Sequence, residues 1–464
     1  MSERRSTLHL HWRTGLGLSP LELEERSRMA YGAQVDRLFT ESATCTPITT
    51  THTSTSAEAY RAMKAPEQFR YRRASREAAH RLNAEWCARL KRTEGALREK
   101  MALFWHGHFA CWSHWSTSTE QYLNILRTHA LGDFGTLLKA VSRSAAMLEF
   151  LNNQRNRKEA PNENFAREVM ELFTVGHGRY TEHDIREAAR AFTGWAFRFE
   201  DGSFRSVPAH HDDGIKEFRG ERGNFDGDDI LDRLLADEAT AHHVAGRIFR
   251  WFVRAEPDDA FIAAMGRRFF ASGYDIADLM RFVLMSDLFR DPGTHGQRIK
   301  PPAELLLGTE KLFDVRYELP EQGIWLQRTL GQELLHPPSV AGWPIGRAWI
   351  DSGSLMQRLK LPSALLAGGA LDWEDPAEPG GDAEHMADAA AADMPMRDDR
   401  RRILRIGSHM DAFLQQLGPE PSTEKMMRSL LVVDAGPGMA DAIGAGTPAD
   451  RLLLILSTPE YQLC

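Results

Sequence analysis

Helical periodicity runs through most of this chain and constrains its fold more than any other feature. Apolar side chains recur at three- and four-residue intervals, as in Met29 to Phe39, Phe134 to Leu151 and Glu163 to Phe173. Each such segment carries an apolar stripe that must be buried against another element. The punctuation agrees with this reading. Ser19 before Pro20 suits the N-cap of the first predicted helix. Asn162 after Pro161 can cap the helix at 163–173, and Gly176, His177 and Gly178 then end it. Thr181-Glu182-His183-Asp184 reads as a capping box opening a helix to about Phe192, closed by Gly194-Trp195. Further helices are predicted from Pro66 to Trp115, from Asp229 with breaks to Phe289, and after Lys300-Pro301-Pro302. Short strands are predicted at Ala196 to Phe199 and at Leu430 to Val433. The predicted fold class is mainly α: a multi-helical globular protein with a few short strands and long irregular loops.

A chain of 464 residues can bury one large core or two packed ones. Residues 1–365 read as the main helical domain. Residues 366–400 are acidic and rich in Ala and Gly, with little aromatic content, and are expected to be a flexible insert. Residues 401–464 read as a C-terminal helical segment that packs back on the main domain. The Thr- and Ser-rich stretch 40–57 reads as an exposed loop.

The net charge of −8 argues against general attraction to nucleic acid or to anionic lipid, so no nucleic-acid partner is expected. No apolar run approaches the length of a membrane span. The opening MSERRSTLHLHWRTGLG is basic but lacks the apolar run of a signal peptide, which makes a cytoplasmic location the expectation. The four cysteines, Cys45, Cys87, Cys111 and Cys464, are too far apart for a zinc knuckle or redox motif. P-loop, HExxH and GxSxG signatures are all missing.

Three clusters carry candidate chemistry. The first is Phe104-Trp105-His106-Gly107-His108-Phe109, whose imidazoles could bind a metal or move a proton. On a continuous helix two residues separated by one point about 200° apart, so both reach one metal only if Gly107 breaks the helix. The second is the helix at 163–173, where Asn164, Glu168 and Glu171 share a face at i, i+4 and i+7. Two carboxylates on one face resemble half of a helical carboxylate metal site, and equally suit a buried network with Arg167, Arg186 and Arg190. The third is His210-His211-Asp212-Asp213-Gly214, in an irregular stretch with both imidazole and carboxylate groups.

The order WHGHF, PNENFAREVMELFTVGHGRYTEHDIREAARAFTGW, HHDDGIKEFRG and LGQELLHPPSVAGWPIGRAWIDSGSLMQRL resembles the family catalogued as domain of unknown function 1800. The likeness extends from HLHWRTGLGLSPLELE near the start to RLLLILSTPEYQ near the end. It implies a bacterial, mostly helical protein, often encoded beside an exported partner similar to the sulfatase and alkaline phosphatase superfamily. The matching motif positions include Trp105, His106, His108, Asn164, Arg167, Glu168, Glu171, Arg190, His211, Asp212 and Lys216. His177 departs from the aliphatic residue more usual in that family and is left out of the predicted site.

Two functional readings stand at this point. In the first, the chain is a metal-dependent enzyme, a hydrolase or an oxidoreductase. His106, His108, Glu171 and His211 hold a divalent ion, Glu168 and Asp212 serve as acid/base groups, and Arg167 holds an anionic substrate or positions a ligand. In the second, the Glu, Arg and His residues form a structural network in a non-catalytic partner protein. The segment from Trp343 to Trp349 is then its binding surface.

Overall fold

The computed structural model describes residues 3–50, 55–319, 321–367, 406–436, 438–444 and 446–464. The architecture is mainly α, as the periodicity predicts, with three two-stranded antiparallel ribbons among the described residues. Beyond Leu366 and Ala367, which end the helix Ser352–Leu366, the predicted insert at 366–400 lies outside these residues.

The larger core gathers the helices Ala96–His108, Ser116–Thr128, Phe134–Ser142, Glu182–Ala191, Glu238–Phe252 and Ile276–Met285. The second joins distant parts of the chain. Leu8 and Trp12 of Glu3–Thr14 meet Leu305 and Leu306 of Pro302–Leu312, Leu361 and Leu365 of Ser352–Leu366, and Leu452 and Ile455 of Pro448–Leu456. Glu3–Thr14 precedes the predicted first helix. Every residue from Thr7 to Thr14 is buried, so the helix shows no polar face and hence no amphipathic stripe. Ser19 does cap the next helix, Pro20–Ser27, and shares a capping box with Glu22.

Two local predictions change. The segment Leu430 to Val433 is no strand: Leu430 ends the helix Thr423–Leu430, and Leu431 and Val432 continue as buried irregular chain. A four-residue apolar run reads alike as a strand or as a helix end. The helix at 163–173 is α only over Asn164–Glu168 and widens to a π turn over Val169–Phe173. The predicted strand near 196 is present as Trp195–Phe197, paired antiparallel with Phe204–Ser206.

One close approach positions the segment bearing the two tryptophans. Gly342 holds φ +79°, and a Cβ there would lie 2.5 Å from the Gly107 carbonyl oxygen. Only glycine lets this turn sit on the WHGH helix backbone.

Candidate functional site

The helix Ala96–His108 runs unbroken through Gly107, so His106 and His108 face different surroundings. His106 is fully buried. Its Nε2 accepts the Leu335 backbone N–H at 2.9 Å. That leaves the proton on Nδ1, which donates to the Tyr122 hydroxyl oxygen at 3.2 Å, while Tyr122 donates to the Phe109 carbonyl at 2.7 Å. Trp343 packs edge-on against the same imidazole at 5.0 Å between centroids. Burial pushes His106 down to about 3, so it is neutral at ordinary pH. Both its nitrogens are engaged by the protein.

His108 serves the π turn. Its Nε2–H donates to the Phe173 carbonyl at 3.2 Å, and His243 Nε2–H donates to the Leu172 carbonyl at 3.1 Å. The Thr174 hydroxyl donates to Val169 and the Gly176 amide to Met170. The buried end of this helix therefore has its carbonyls satisfied by side chains and turn amides, as a water-excluded helix end requires. Burial, with Arg247 and His243 adding positive charge, holds His108 well below the usual histidine range. Its Nδ1 is buried and has no partner among the described residues.

Glu168 immediately precedes the π turn and Glu171 lies at its middle, both partly exposed. Neither pairs with Arg167, whose guanidinium engages Glu182 at 2.8 and 2.9 Å and Glu163 at 3.4 Å. Glu171 instead meets His177 Nδ1 at 3.0 Å and accepts the Tyr180 hydroxyl. His177, set aside in the sequence, is thus the imidazole that reaches this carboxylate. Burial and the neighbouring Glu171 charge raise Glu168 above its ordinary value.

The HHDDG loop forms a third locality. Asp212 forks onto Arg190 at 2.7 and 3.2 Å and caps the Gly214 amide at 2.8 Å. The hydrogen bond from Arg190 holds the carboxyl below its usual range. His211 Nδ1 donates to the Thr193 carbonyl at 2.9 Å, and the buried Lys216 ammonium donates to the Asp212 carbonyl. These contacts tie the loop to the end of the helix Glu182–Ala191. The expected convergence of His106, His108, Glu168, Glu171, His211 and Asp212 is replaced by three separate networks. Among the described residues no three His, Cys, Asp or Glu side chains are grouped to hold a metal ion. The reason is geometric: the unbroken helix splits the two histidines, and the loop is anchored to arginine.

A fourth locality escaped the sequence reading. Glu304, fully buried, is gripped by Arg298 at 2.6 and 2.8 Å and by Lys100 at 2.8 Å. Burial alone would raise its pKa, but Arg298 and Lys100 outweigh this and hold it at about 2. Arg298 also stacks over Trp251 at 4.5 Å. Beside this knot opens a cleft of about 50 Å³, between the end of the WHGH helix, the helix Glu238–Phe252 and the turn from Trp343 to Trp349. Arg247, Arg250 and Trp251 line it from one side, and His108, Trp343 and Trp349 from the others. Arg247 is partly buried and Arg250 exposed, and no carboxylate pairs with either among the described residues. Burial, with the Arg250 charge, lowers the Arg247 pKa. The legible signal was RIFRW: two arginines three apart, followed by tryptophan, in a helix whose only acidic residue is Glu238 at its start. A wider recess at Thr7, Tyr31, Gln34 and Asp287 touches none of the candidate site residues.

No helix among the described residues is long and apolar enough to cross a membrane. No curated protein and no solved structure matches the chain. Residues 9–463 match the family described as "Protein of unknown function (DUF1800)". With the match running over nearly its whole length, the chain belongs to the DUF1800 family.

Proposed function

We propose that this chain is a helical binding protein that recognises an anionic group in the cleft between Arg247, Arg250 and the turn from Trp343 to Trp349. The observation that carries this reading is the unmatched pair of cations. Arg247 and Arg250 lie one turn apart, line one cleft and face no carboxylate among the described residues. Among the buried arginines, Arg298 is matched by Glu304 and Arg127 by Glu99, whereas Arg13, Arg98 and Arg358 meet carbonyl or amide oxygens only; Arg247 and Arg250 have neither kind of partner among the described residues. Placing two like charges in a confined site raises the free energy unless an anion arrives to offset it. Tryptophans at the rim add apolar area and a flat face against which a bound group can pack.

Tryptophan fluorescence tests this reading. Titration of the full chain with simple anions should give a saturable change for at least one of them. Arg250→Gln should abolish that change. A flat response to every anion would remove the basis of the proposal.

A second reading keeps metal-dependent chemistry, hydrolytic or redox, at the π turn. It is favoured by Glu168 and Glu171, the two predicted carboxylates with no arginine partner, and by the 3.0 Å approach of His177 Nδ1 to Glu171. π turns recur at functional sites. Elemental analysis of the purified chain decides it: stoichiometric metal that Glu171→Gln removes would support it, and a metal-free protein after reconstitution would end it.

A further inference from the structure

The walls of the cleft narrow the kind of anion it suits, and this inference rests on the anion-binding reading above. Gln332 lines the cleft together with Arg247 and Arg250. It is 6% exposed, and its Oε1 accepts the Ala303 backbone N–H at 2.9 Å. That contact makes Nε2 the other end of the amide, and Nε2 has no hydrogen-bond partner among the described residues. An amide N–H2 on a nearly buried side chain is costly to leave unmatched and calls for an acceptor. The fully enclosed polar atoms without partners include none from Gln332 or Arg247, so these donors still reach accessible surface. His108 Nδ1, by contrast, is enclosed, and Arg298 is engaged by Glu304. The side chains left open to the cleft therefore offer donors, which suit a group that only accepts.

The rest of the lining is apolar. Trp343, Pro344 and Ile345 contribute to it from the turn. Pro344 is exposed, and Ile345, at 45% exposed, is among the large apolar side chains that the molecule leaves open to water. An inorganic oxyanion would pair with the guanidiniums and leave this apolar rim wet. A carboxylate joined to an apolar body uses both features: guanidinium forks match its two oxygens, and its body covers the rim. The enclosed space sets which part enters. At ~10–15 Å³ for one water, about 50 Å³ holds a carboxylate head and leaves the body outside, over Pro344 and Ile345. We infer that the cleft binds the carboxylate of an amphipathic acid, with Arg247, Arg250 and Gln332 Nε2 donating to its oxygens and the turn from Trp343 to Ile345 packing on its apolar body. A free aliphatic acid and the C-terminal carboxylate of a peptide ending in an apolar residue share this chemistry.

The experiment is isothermal titration of the full chain with sodium acetate, butyrate and hexanoate, and with sodium sulfate and 1-hexanol as controls. Affinity is expected to rise about two- to fourfold for each methylene that the rim covers, so that hexanoate binds at least about tenfold more tightly than acetate. Sulfate should bind more weakly than hexanoate, and hexanol not at all. Arg250→Gln, at an exposed position where the fold is not at stake, should weaken hexanoate at least tenfold. Ile345→Ser, also exposed, should flatten the rise with chain length. Gln332→Glu keeps an acceptor for the Ala303 amide, replaces the donor by a negative charge and should abolish binding. N-acetyl-alanyl-leucine separates the two sources: tighter binding than hexanoate identifies a peptide end, and weaker binding a free aliphatic acid. Equal affinity for acetate and hexanoate, or sulfate bound as tightly as hexanoate, would overturn the amphipathic assignment and leave the anion-binding reading intact. Hexanol bound as tightly as hexanoate, or hexanoate binding unaltered by Arg250→Gln, would overturn the inference. Binding of no carboxylate would overturn it too, and the fluorescence response to inorganic anions would then decide the broader reading separately.

Discussion

His106 Nε2 accepts the backbone N–H of Leu335 at 2.9 Å, and Leu335 holds φ +70°, a left-handed conformation that branched side chains rarely adopt. The imidazole thus fixes the strained start of the turn carrying Trp343 and Trp349. His106→Leu leaves that buried amide without an acceptor, and a loss of about 1–3 kcal/mol is expected. Urea denaturation measures the loss. Near-ultraviolet circular dichroism should show the tryptophan environment loosening before global unfolding.

Glu304→Gln should be among the most damaging single changes. It leaves Arg298 and Lys100 buried with their counter-charge removed, and breaking a buried pair costs about 3–5 kcal/mol. Thermal unfolding should show a large fall in Tm. A variant as stable as the parent would mean that water reaches this knot.

Stability should fall in acid through the buried histidines. Burial depresses His106 and His11 to about 3 and His243 to about 4, from an ordinary value of 6.5. Between those values the unfolded chain binds more protons than the folded one, so unfolding free energy rises with pH. Their stabilising effect is complete above pH 6.5 and is lost as pH falls toward the folded values. Calorimetry across this range should show Tm flat on the alkaline side and declining toward acid. A Tm that rises on acidification would contradict the assigned burial.

Glu168→Gln and Asp212→Asn should differ in sign. Glu168 sits near the like charge of Glu171, so neutralising it should leave stability unchanged or raise it by about 0.2–0.5 kcal/mol. Asp212→Asn removes the fork onto Arg190, at a cost of up to about 1 kcal/mol for a partly exposed pair. Hydrogen exchange in the HHDDG loop should quicken in the second variant only.

The helical class, the N-cap at Ser19, the capping box at Thr181 and the helix Pro302–Leu312 were legible because they rest on local chemistry. A hydroxyl beside three free amides, or a proline at a first turn, acts within one turn of chain. The π turn at Val169–Phe173 was not legible, since its widening is supported by His108 and His243 from other helices. The helix Glu3–Thr14 was hidden for the opposite reason: it is buried all round, so its neighbours had already removed the polar face that periodicity detects.

The same division governs the candidate site. Residue types alone identified His106, His108, Glu168, Glu171, His211 and Asp212 as groups of chemical interest, and correctly put His106 and His108 on opposite sides of any unbroken helix. Which atoms remained free was beyond the sequence, because a hydrogen bond from Leu335 to His106 spans 229 positions and one from Arg190 to Asp212 spans 22. Sequence by itself thus determined a helical chain with polar groups at particular helix faces. Only the tertiary structure decided that most of those groups are engaged, and that Arg247 and Arg250 are left facing a cleft, because charge compensation depends on distances that only packing creates.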